Sequence, residues 1–421
     1  MNRFVRLIGS FFFIITLFIL LYAYAMFQGG FVSWFLFFSF LPIGFYQIIL
    51  MLYPLQRWEI KRTLSHHTLR AGDSIKVSIK MKRKIPFPLF YCIVEEVVPQ
   101  TLRKIDNRLD KYYYLNEPNK LVRHHKVKKV IFPLFRRQIE VQYELTQIPR
   151  GEHQLNLIKV RTGDVFGFIK KEVSYQISDE LVAHPNQRSI KMNGKMTRLN
   201  QGEQSAQLLF QKNTNVVSGV REYVPGDKFS WIDWKQTARN HVMMSKEFEQ
   251  ERSSKVLLVL NACYNTDFNP IAFEAAIEMT LSFLMDLEKG ESTVDFLAIG
   301  SNAVHFRKKD FTRGNEAIQQ YLTRVQPGEN HFFSEQLLKE FTEIGRQPFV
   351  IMITTHVDNA FFESVQKIGK QMDKLLMIYI QSEKRILQDE HDMLQELGSK
   401  GITTILLTER ELVTNPIEVN L

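Results

Sequence analysis

Residues 256–260 read Val-Leu-Leu-Val-Leu, an uninterrupted apolar run. Such a run marks a strand buried on both faces, as in a parallel sheet. It is followed from Ile271 to Leu287 by helical spacing, with Ile277, Leu281, Leu284 and Leu287 on one side. Further runs follow at 294–299, 349–353, 375–380 and 402–407, with helical stretches around 314–325 and 334–345. Strands alternating with helices predict a doubly wound α/β domain over residues 251–421, with any ligand at the carboxyl ends of the strands. The first of those ends carries Asn261-Ala-Cys-Tyr-Asn265.

Several common chemistries are excluded. The chain has no GxGxxG after a strand, no GxxxxGK[ST], no HExxH and no GxSxG elbow. An ATPase or serine hydrolase of a common type therefore does not fit.

Upstream of the α/β region lies the densest stretch of charge and aromatic residues, Gly219-Val-Arg-Glu-Tyr-Val-Pro-Gly-Asp-Lys-Phe-Ser-Trp-Ile-Asp-Trp-Lys-Gln-Thr-Ala-Arg239. Pro225-Gly226 signals a turn. The stretch resembles the signature of the family catalogued as domain of unknown function 58, roughly G-x-R-x-Y-x-x-G-D-x-x-R-x-I-D-W-x-x-S-A-R followed by an acidic F-E-x-E. Gly219, Arg221, Tyr223, Gly226, Asp227, Ile232, Asp233, Trp234, Ala238 and Arg239 match it, and Phe248-Glu-Gln-Glu251 matches the tail. Arg150-Gly151 and Asp164-Val-Phe-Gly167 resemble two further turns of the family, with Val165 where proline is usual. Ser230 stands where arginine is common, and Thr237 where serine is common.

The resemblance implies that the α/β half is a von Willebrand factor A-like domain. It implies a MoxR-type AAA+ ATPase as partner, often with a transglutaminase-like membrane protein, and no established catalytic activity. A metal-binding A domain uses D-x-S-x-S after its first strand, whose oxygens hold a hard cation. Here those places hold Asn261, Cys263 and Asn265, and the later strand end reads Thr354-Thr355-His356. The site is degenerate at Asn261, Cys263, Asn265 and Thr355: no charge remains, and a thiol is a poor ligand for magnesium. No metal and no cofactor are expected.

Arg221, Asp227, Asp233 and Arg239 are read either as a structural ion-pair network or as a partner-binding surface, with catalysis by Asp227 or Asp233 as the rival. Trp231 and Trp234 are read as packing residues. Cys263 is read as a small core residue.

Residues 57–185 carry short alternating runs, such as Ser74–Lys82, Leu89–Val94 and Glu140–Leu145, separated by turn signals. They predict a small antiparallel sandwich, joined to the α/β domain by a signature segment at 186–250. Residues 101–140 hold eleven Lys/Arg against four acids. That stretch is read as the solvated face of strands and loops, with a patch for anionic lipid or nucleic acid as the alternative. His124 and His125 are adjacent, and on a strand they would point to opposite faces.

No charged residue occurs between Arg6 and Arg57. Phe11–Phe27 and Phe31–Tyr53 are apolar runs separated by Gln28-Gly29-Gly30. A helix needs about 20 residues to cross about 30 Å of hydrocarbon. Residues 1–56 are therefore expected to form a two-helix transmembrane hairpin, with Tyr22, Trp34, Tyr46 and Tyr53 near the interfaces. A cleaved signal peptide is the competing reading. Arg3, Arg6, Arg57, Lys61 and Arg62 flank the hairpin and the connecting loop has no cation, so both ends are expected in the cytoplasm of a cell-membrane protein. The mean hydropathy of −0.17 and net charge of +9 fit a polar body on an anionic leaflet. Two distant cysteines form neither a disulfide framework nor a zinc spacing.

The fold expected is therefore an α+β multidomain membrane protein: hairpin, sandwich-like domain and α/β domain. The function expected is a membrane-anchored, non-enzymatic scaffold acting with a MoxR-type ATPase, in an envelope or assembly task. A cell-envelope enzyme and an anionic lipid or nucleic-acid binder are the alternatives, and nucleic acid is not the expected partner.

Overall fold

In the computed structural model the described residues are all but 1, 123–126, 194–215, 225, 226, 228, 250–254, 266, 290–292, 308–313, 329–332, 346, 348, 373 and 421. His124, His125, Gly226 and the end of the acidic tail (250–251) lie outside them. The chain forms two compact units where the sequence suggests four segments. One comprises residues 1–106 and 122–183, the other residues 107–121 and 184–421.

The first unit begins with α1 (Asn2–Gln28) and α2 (Phe31–Leu52). They pack through aromatic rings, with Tyr22 edge-on to Trp34 at 6.4 Å and to Phe37 at 5.8 Å. Gly44 permits this approach, because a Cβ there would stand 2.2 Å from the Phe18 ring. Among the described residues α2 is the one helix long and apolar enough to cross a membrane, while the apolar part of α1, Phe12–Gln28, is shorter. One helix thus meets the length requirement where two were expected.

Eight strands follow: β1 (Glu59–Leu64), β2 (Thr68–Arg70), β3 (Ile75–Lys82), β4 (Tyr91–Glu96), β5 (Val127–Ile131), β6 (Gln138–Leu145), β7 (Gly151–Gly163) and β8 (Lys170–His184). They form a three-stranded sheet, β1-β3-β6, and a five-stranded sheet, β2-β8-β7-β4-β5. The expected alternation holds on β3: Ile75, Val77, Ile79 and Met81 are buried, and three of the four residues between or after them are exposed. These side chains share a core with Leu155, Ile158 and Val160 of β7. α2 joins this unit through its last turns. Tyr46 stacks on Phe87 at 5.3 Å, and the Tyr53 hydroxyl donates to the Ile85 carbonyl at 2.9 Å. The Lys171 ammonium donates to the carbonyls of Met51 and Tyr53 at 2.7 and 2.6 Å. A cation there satisfies orphan carbonyls and complements the helix dipole.

Inside the sandwich Arg62 is buried. Its guanidinium grips the Glu96 carboxylate through two bonds of 2.7 and 3.2 Å and meets Asp179 at 2.8 Å. It also donates to the Leu155 and Ile177 carbonyls, and the Tyr143 hydroxyl donates to Glu96 at 2.8 Å. Burial raises the Glu96 carboxyl, against the pull of Arg62.

The second unit holds β9 (Ile190–Asn193), β10 (Val216–Glu222), α3 (Trp234–Asn240), β11 (Met244–Glu249), β12 (Lys255–Asn261), α4 (Pro270–Lys289), β13 (Thr293–Ile299) and β14 (Ala303–Phe306). It continues with α5 (Gly314–Arg324), α6 (Phe333–Ile344), β15 (Phe349–Thr354), α7 (Asn359–Gly369), β16 (Lys374–Ile380), α8 (Gln388–Ser399), β17 (Thr403–Leu407), α9 (Glu409–Val413) and β18 (Ile417–Asn420). The main sheet has the order β14-β13-β12-β15-β16-β17. Its pairings are parallel, except that β14 runs antiparallel to β13. Side chains alternate across β12. Val256, Leu258 and Leu260 share a core with α4, while Leu257 and Val259 face the core lined by α6, α7 and α8. The five apolar runs and the helices between them thus lie where the sequence places them.

The segment 107–121, read from sequence as part of a solvated basic stretch, behaves differently. Lys111 is 3% exposed and Tyr112 is fully buried. The Lys111 ammonium pairs with the Glu278 carboxylate of α4. The Tyr112 hydroxyl donates to the other Glu278 oxygen at 2.5 Å. Arg188 approaches the same carboxylate at 3.7 Å and lies over the Tyr112 ring at 5.0 Å. Burial and the Glu278 charge push the Tyr112 phenol far up. Lys111 is a core cation here because a carboxylate waits for it on a buried helix face. Lys128, Lys129, Arg136 and Arg137 are exposed, as expected.

Candidate functional site

The signature residues build a small motif within the second unit. β10 and β11 pair antiparallel, with Arg221 opposite Ser245 and a register shift between Val217 and Gly219. That shift falls beside the first signature glycine, and a bulge bends and twists its strand. The Tyr223 amide donates to the Met243 carbonyl at 2.8 Å, and the Asp233 amide to Met244 at 2.9 Å. The segment between the strands is therefore tied down at both ends.

Among the described residues the signature carboxylates have different partners. Arg221 meets Asp227 at 2.7 Å. Asp227 also accepts from the Val224 amide at 3.1 Å. These bonds, the Arg221 guanidinium foremost, hold the Asp227 carboxyl below its usual range. Asp233 instead caps α3, accepting from the Lys235 and Gln236 amides at 3.1 Å. An N-cap of this kind is worth about 1 kcal/mol. Thr237 uses its hydroxyl to accept from the Met244 amide at 3.0 Å, so the swap from serine keeps the bond. Arg239 and Ala238 are exposed on α3. The described contacts of these carboxylates include an ion pair and a helix cap.

The aromatic residues also depart from expectation. Trp234, read as packing, is 66% exposed, and Phe229 is 73% exposed. Tyr223 lies beside Phe229, with ring centroids 6.4 Å apart. Val242 and Met243 are exposed as well. Trp234 and Ala238 are four apart on α3 and share a face, with Lys235 and Arg239 as neighbours.

The strand-end position is closed. Asn261 is buried and donates to the Thr354 hydroxyl at 3.0 Å, and its carbonyl oxygen accepts from the Cys263 amide at 3.1 Å. The Thr354 hydroxyl in turn donates to the His356 carbonyl at 2.8 Å. Thr355 is buried, and Asp358 caps α7 through the Phe361 amide at 2.7 Å. Among the described residues no group of three or more His, Cys, Asp or Glu side chains could hold a metal. Burial pushes the Cys263 thiol up to about 11 and the Cys92 thiol up to about 12, so neither is a ready thiolate.

A backbone plug lies over this end. The Tyr264 amide donates to the Gly328 carbonyl at 2.6 Å, and the Gly328 amide to the Ala262 carbonyl at 2.8 Å. A Cβ at Gly328 would stand 2.0 Å from the Ser301 nitrogen and 2.5 Å from the Gly300 carbonyl carbon. Both neighbours are backbone and cannot rotate away. Gly328→Ala is therefore expected to cost about 1–3 kcal/mol, read as a lowered thermal midpoint. An unchanged midpoint would show that the loop yields freely.

A doubly wound α/β unit bearing a capped β-ribbon with an exposed aromatic face defines the class. Residues 219–411 match the family described as Protein of unknown function DUF58. A relative, "Uncharacterized protein YeaD" of Bacillus subtilis (strain 168), is 35% identical over 279 residues. That match spans 66% of this chain and 65% of the relative, just under two thirds of its length. Among solved structures, the PilB minor pilin from Streptococcus sanguinis is 8% identical with a TM-score of 0.28, covering 77% of this chain and 85% of its own. The bacterial hydrophobin BslA is 9% identical with a TM-score of 0.17, covering 28% of this chain and 97% of its own.

Proposed function

We propose that this protein is a membrane-anchored, non-enzymatic scaffold whose degenerate von Willebrand factor A-like unit docks a protein partner, a MoxR-type AAA+ ATPase. The observation that carries the reading is the exposure of two large aromatic side chains, Trp234 and Phe229, within one short segment that is hydrogen-bonded to β11. Large exposed aromatics on a rigid support favour a protein interface, because they bury much area at small cost in conformational entropy. Two further features support it. Asp227 is engaged in an ion pair and Asp233 in a helix cap, so both signature carboxylates have structural partners. The order of the main sheet, with its antiparallel edge strand, suits an A-type domain, and the place of that domain's cation is filled by an Asn261–Thr354 hydrogen bond.

In the same reading α1 and α2 form a transmembrane hairpin with the body on the cytoplasmic side, since the flanking arginines resist crossing. A reporter fused after residue 56 should be active only in the cytoplasm.

The test is co-purification of the full chain with the ATPase in several nucleotide states. Capture is expected in at least one state. Trp234→Ala combined with Phe229→Ser should weaken it about 30-fold, corresponding to a hot-spot loss of about 2 kcal/mol. Unchanged capture by the double variant, or no capture in any state, overturns the proposal.

A further inference from the structure

α2 rises from Phe31, and its first ring contact with the sandwich is at Tyr46, which stacks on Phe87 and meets Phe90 edge-on at 5.3 Å. The stretch from Phe31 to Phe45 is 15 residues, or roughly 22 Å at about 1.5 Å per residue. α1 gives nearly the same length. Phe13 meets Phe168 of the sandwich at 5.4 Å, Ile14 is buried in the core shared with the sheets, and the remaining Ile15–Gln28 is one residue shorter, roughly 21 Å at about 1.5 Å per residue. A hydrocarbon core is about 30 Å thick. The helix stretches beyond the sandwich therefore fall short of it by roughly 8 Å.

The charge-free sequence does not stop where the sandwich begins. It runs back to Arg6 on α1 and forward to Arg57 after α2. The surface beside the two helices at that level is apolar too. Val165, Phe166 and Phe168, in the turn between β7 and β8, are 63%, 60% and 41% exposed, and Phe90 is 44% exposed. This turn is rigid. Asp164 is buried and accepts from the Ile169 amide at 2.6 Å and the Phe166 amide at 3.2 Å. Gln47, a polar residue within apolar α2, is buried and donates to Asp164 at 3.4 Å. Cations follow directly below. Lys170 is exposed, and Lys171 holds the last carbonyls of α2.

We infer that the end of the sandwich is itself a membrane-embedded foot: the 165–168 turn and Phe90 enter the hydrocarbon edge beside the helices, with Lys170 at the level of the anionic headgroups. The occupant of this surface is lipid because the apolar patch is continuous with apolar helices that lipid would surround. A row of exposed aromatics above a lysine also matches the depth profile of an interface. The inference rests on the reading that α2 crosses the bilayer, and it deepens that reading by setting the depth.

Site-directed spin labelling of the full chain in phosphatidylcholine–phosphatidylglycerol nanodiscs tests it. Single cysteines are placed at Phe38, Phe166 and Glu180 in a Cys92→Ala, Cys263→Ala background. Phe38 is an exposed position on α2, and Glu180 is an exposed position further along β8. The expected result is an oxygen-over-nickel-chelate accessibility ratio at Phe166 close to that at Phe38 and severalfold above that at Glu180. A lipid-like ratio at Phe38 with a water-like ratio at Phe166 overturns the foot and leaves the transmembrane reading intact. Water-like ratios at both overturn the two together. Labels at exposed positions leave the fold unchanged, which circular dichroism of each variant checks.

Discussion

Glu278→Ala is expected to lower the stability of the full chain by about 3–5 kcal/mol, the loss that follows when one partner of a buried ion pair is removed. The carboxylate is 4% exposed and serves Lys111, Tyr112 and Arg188 together. Without it two cations and a phenol keep their burial and lose their counter-charge. Glu278→Gln should fall between wild type and alanine, because the amide can still accept from Tyr112 but carries no charge. Changing Lys111 and Arg188 to Met, Tyr112 to Phe and Glu278 to Leu together should recover much of the loss, since replacing a whole buried network with apolar residues of similar volume is often neutral. Thermal unfolding and amide exchange in α4 report both results. A loss under about 1 kcal/mol for alanine would mean that the pair behaves as a surface ion pair.

Arg62→Ala in the sandwich is expected to be comparably severe, again about 3–5 kcal/mol. Its guanidinium joins Glu96 and Asp179 to the backbone carbonyls of β7 and β8. Among the described residues, removing it leaves the buried Glu96 with the Tyr143 hydroxyl as donor. The carboxyl, already raised by burial, would then lose the charge that opposes that rise. The variant should therefore be rescued in part at acidic pH. A folded-state pKa above the unfolded one favours the folded state below the unfolded pKa, and that gain disappears as pH rises through the folded pKa. Unfolding midpoints measured from pH 4 to 8 would show the difference between variant and wild type narrowing toward acid. A constant difference would count against a buried, unpaired Glu96.

Where a local pattern fixes its own environment, the sequence was legible. The apolar runs at 256–260 and 349–353 could only be central strands, and both lie in the middle of the main sheet. The alternation of 75–82 specified a half-buried strand and its inward face. The signature was recognisable as a unit, and the structure closes it into one ribbon and helix. What could not be read was pairing across long distances. Lys111 and Glu278 are 167 positions apart, and Lys111 has no local mark that distinguishes it from a solvated charge. A lone acid among Ala275, Ala276, Ile277 and Met279 was the available hint. The exposure of Trp234 was missed for a related reason. Periodicity within a seven-residue helix cannot say which face is covered, since its neighbours come from other strands. The plug at Gly328 likewise depends on two loops that share no sequence pattern.

The segment carrying Lys111 and Tyr112 has a consequence for synthesis. It leaves the first unit, joins the second, and the chain then returns to finish the sandwich. Tyr112 is made 166 residues ahead of its carboxylate. At about 5–20 residues per second, that is a wait of roughly 8–33 seconds on the ribosome. In that interval a basic and aromatic loop projects from a half-made sandwich with its final partner still unwritten. Sandwich closure must therefore tolerate an open loop, and a shortened gene that ends after the sandwich would leave that loop without a home.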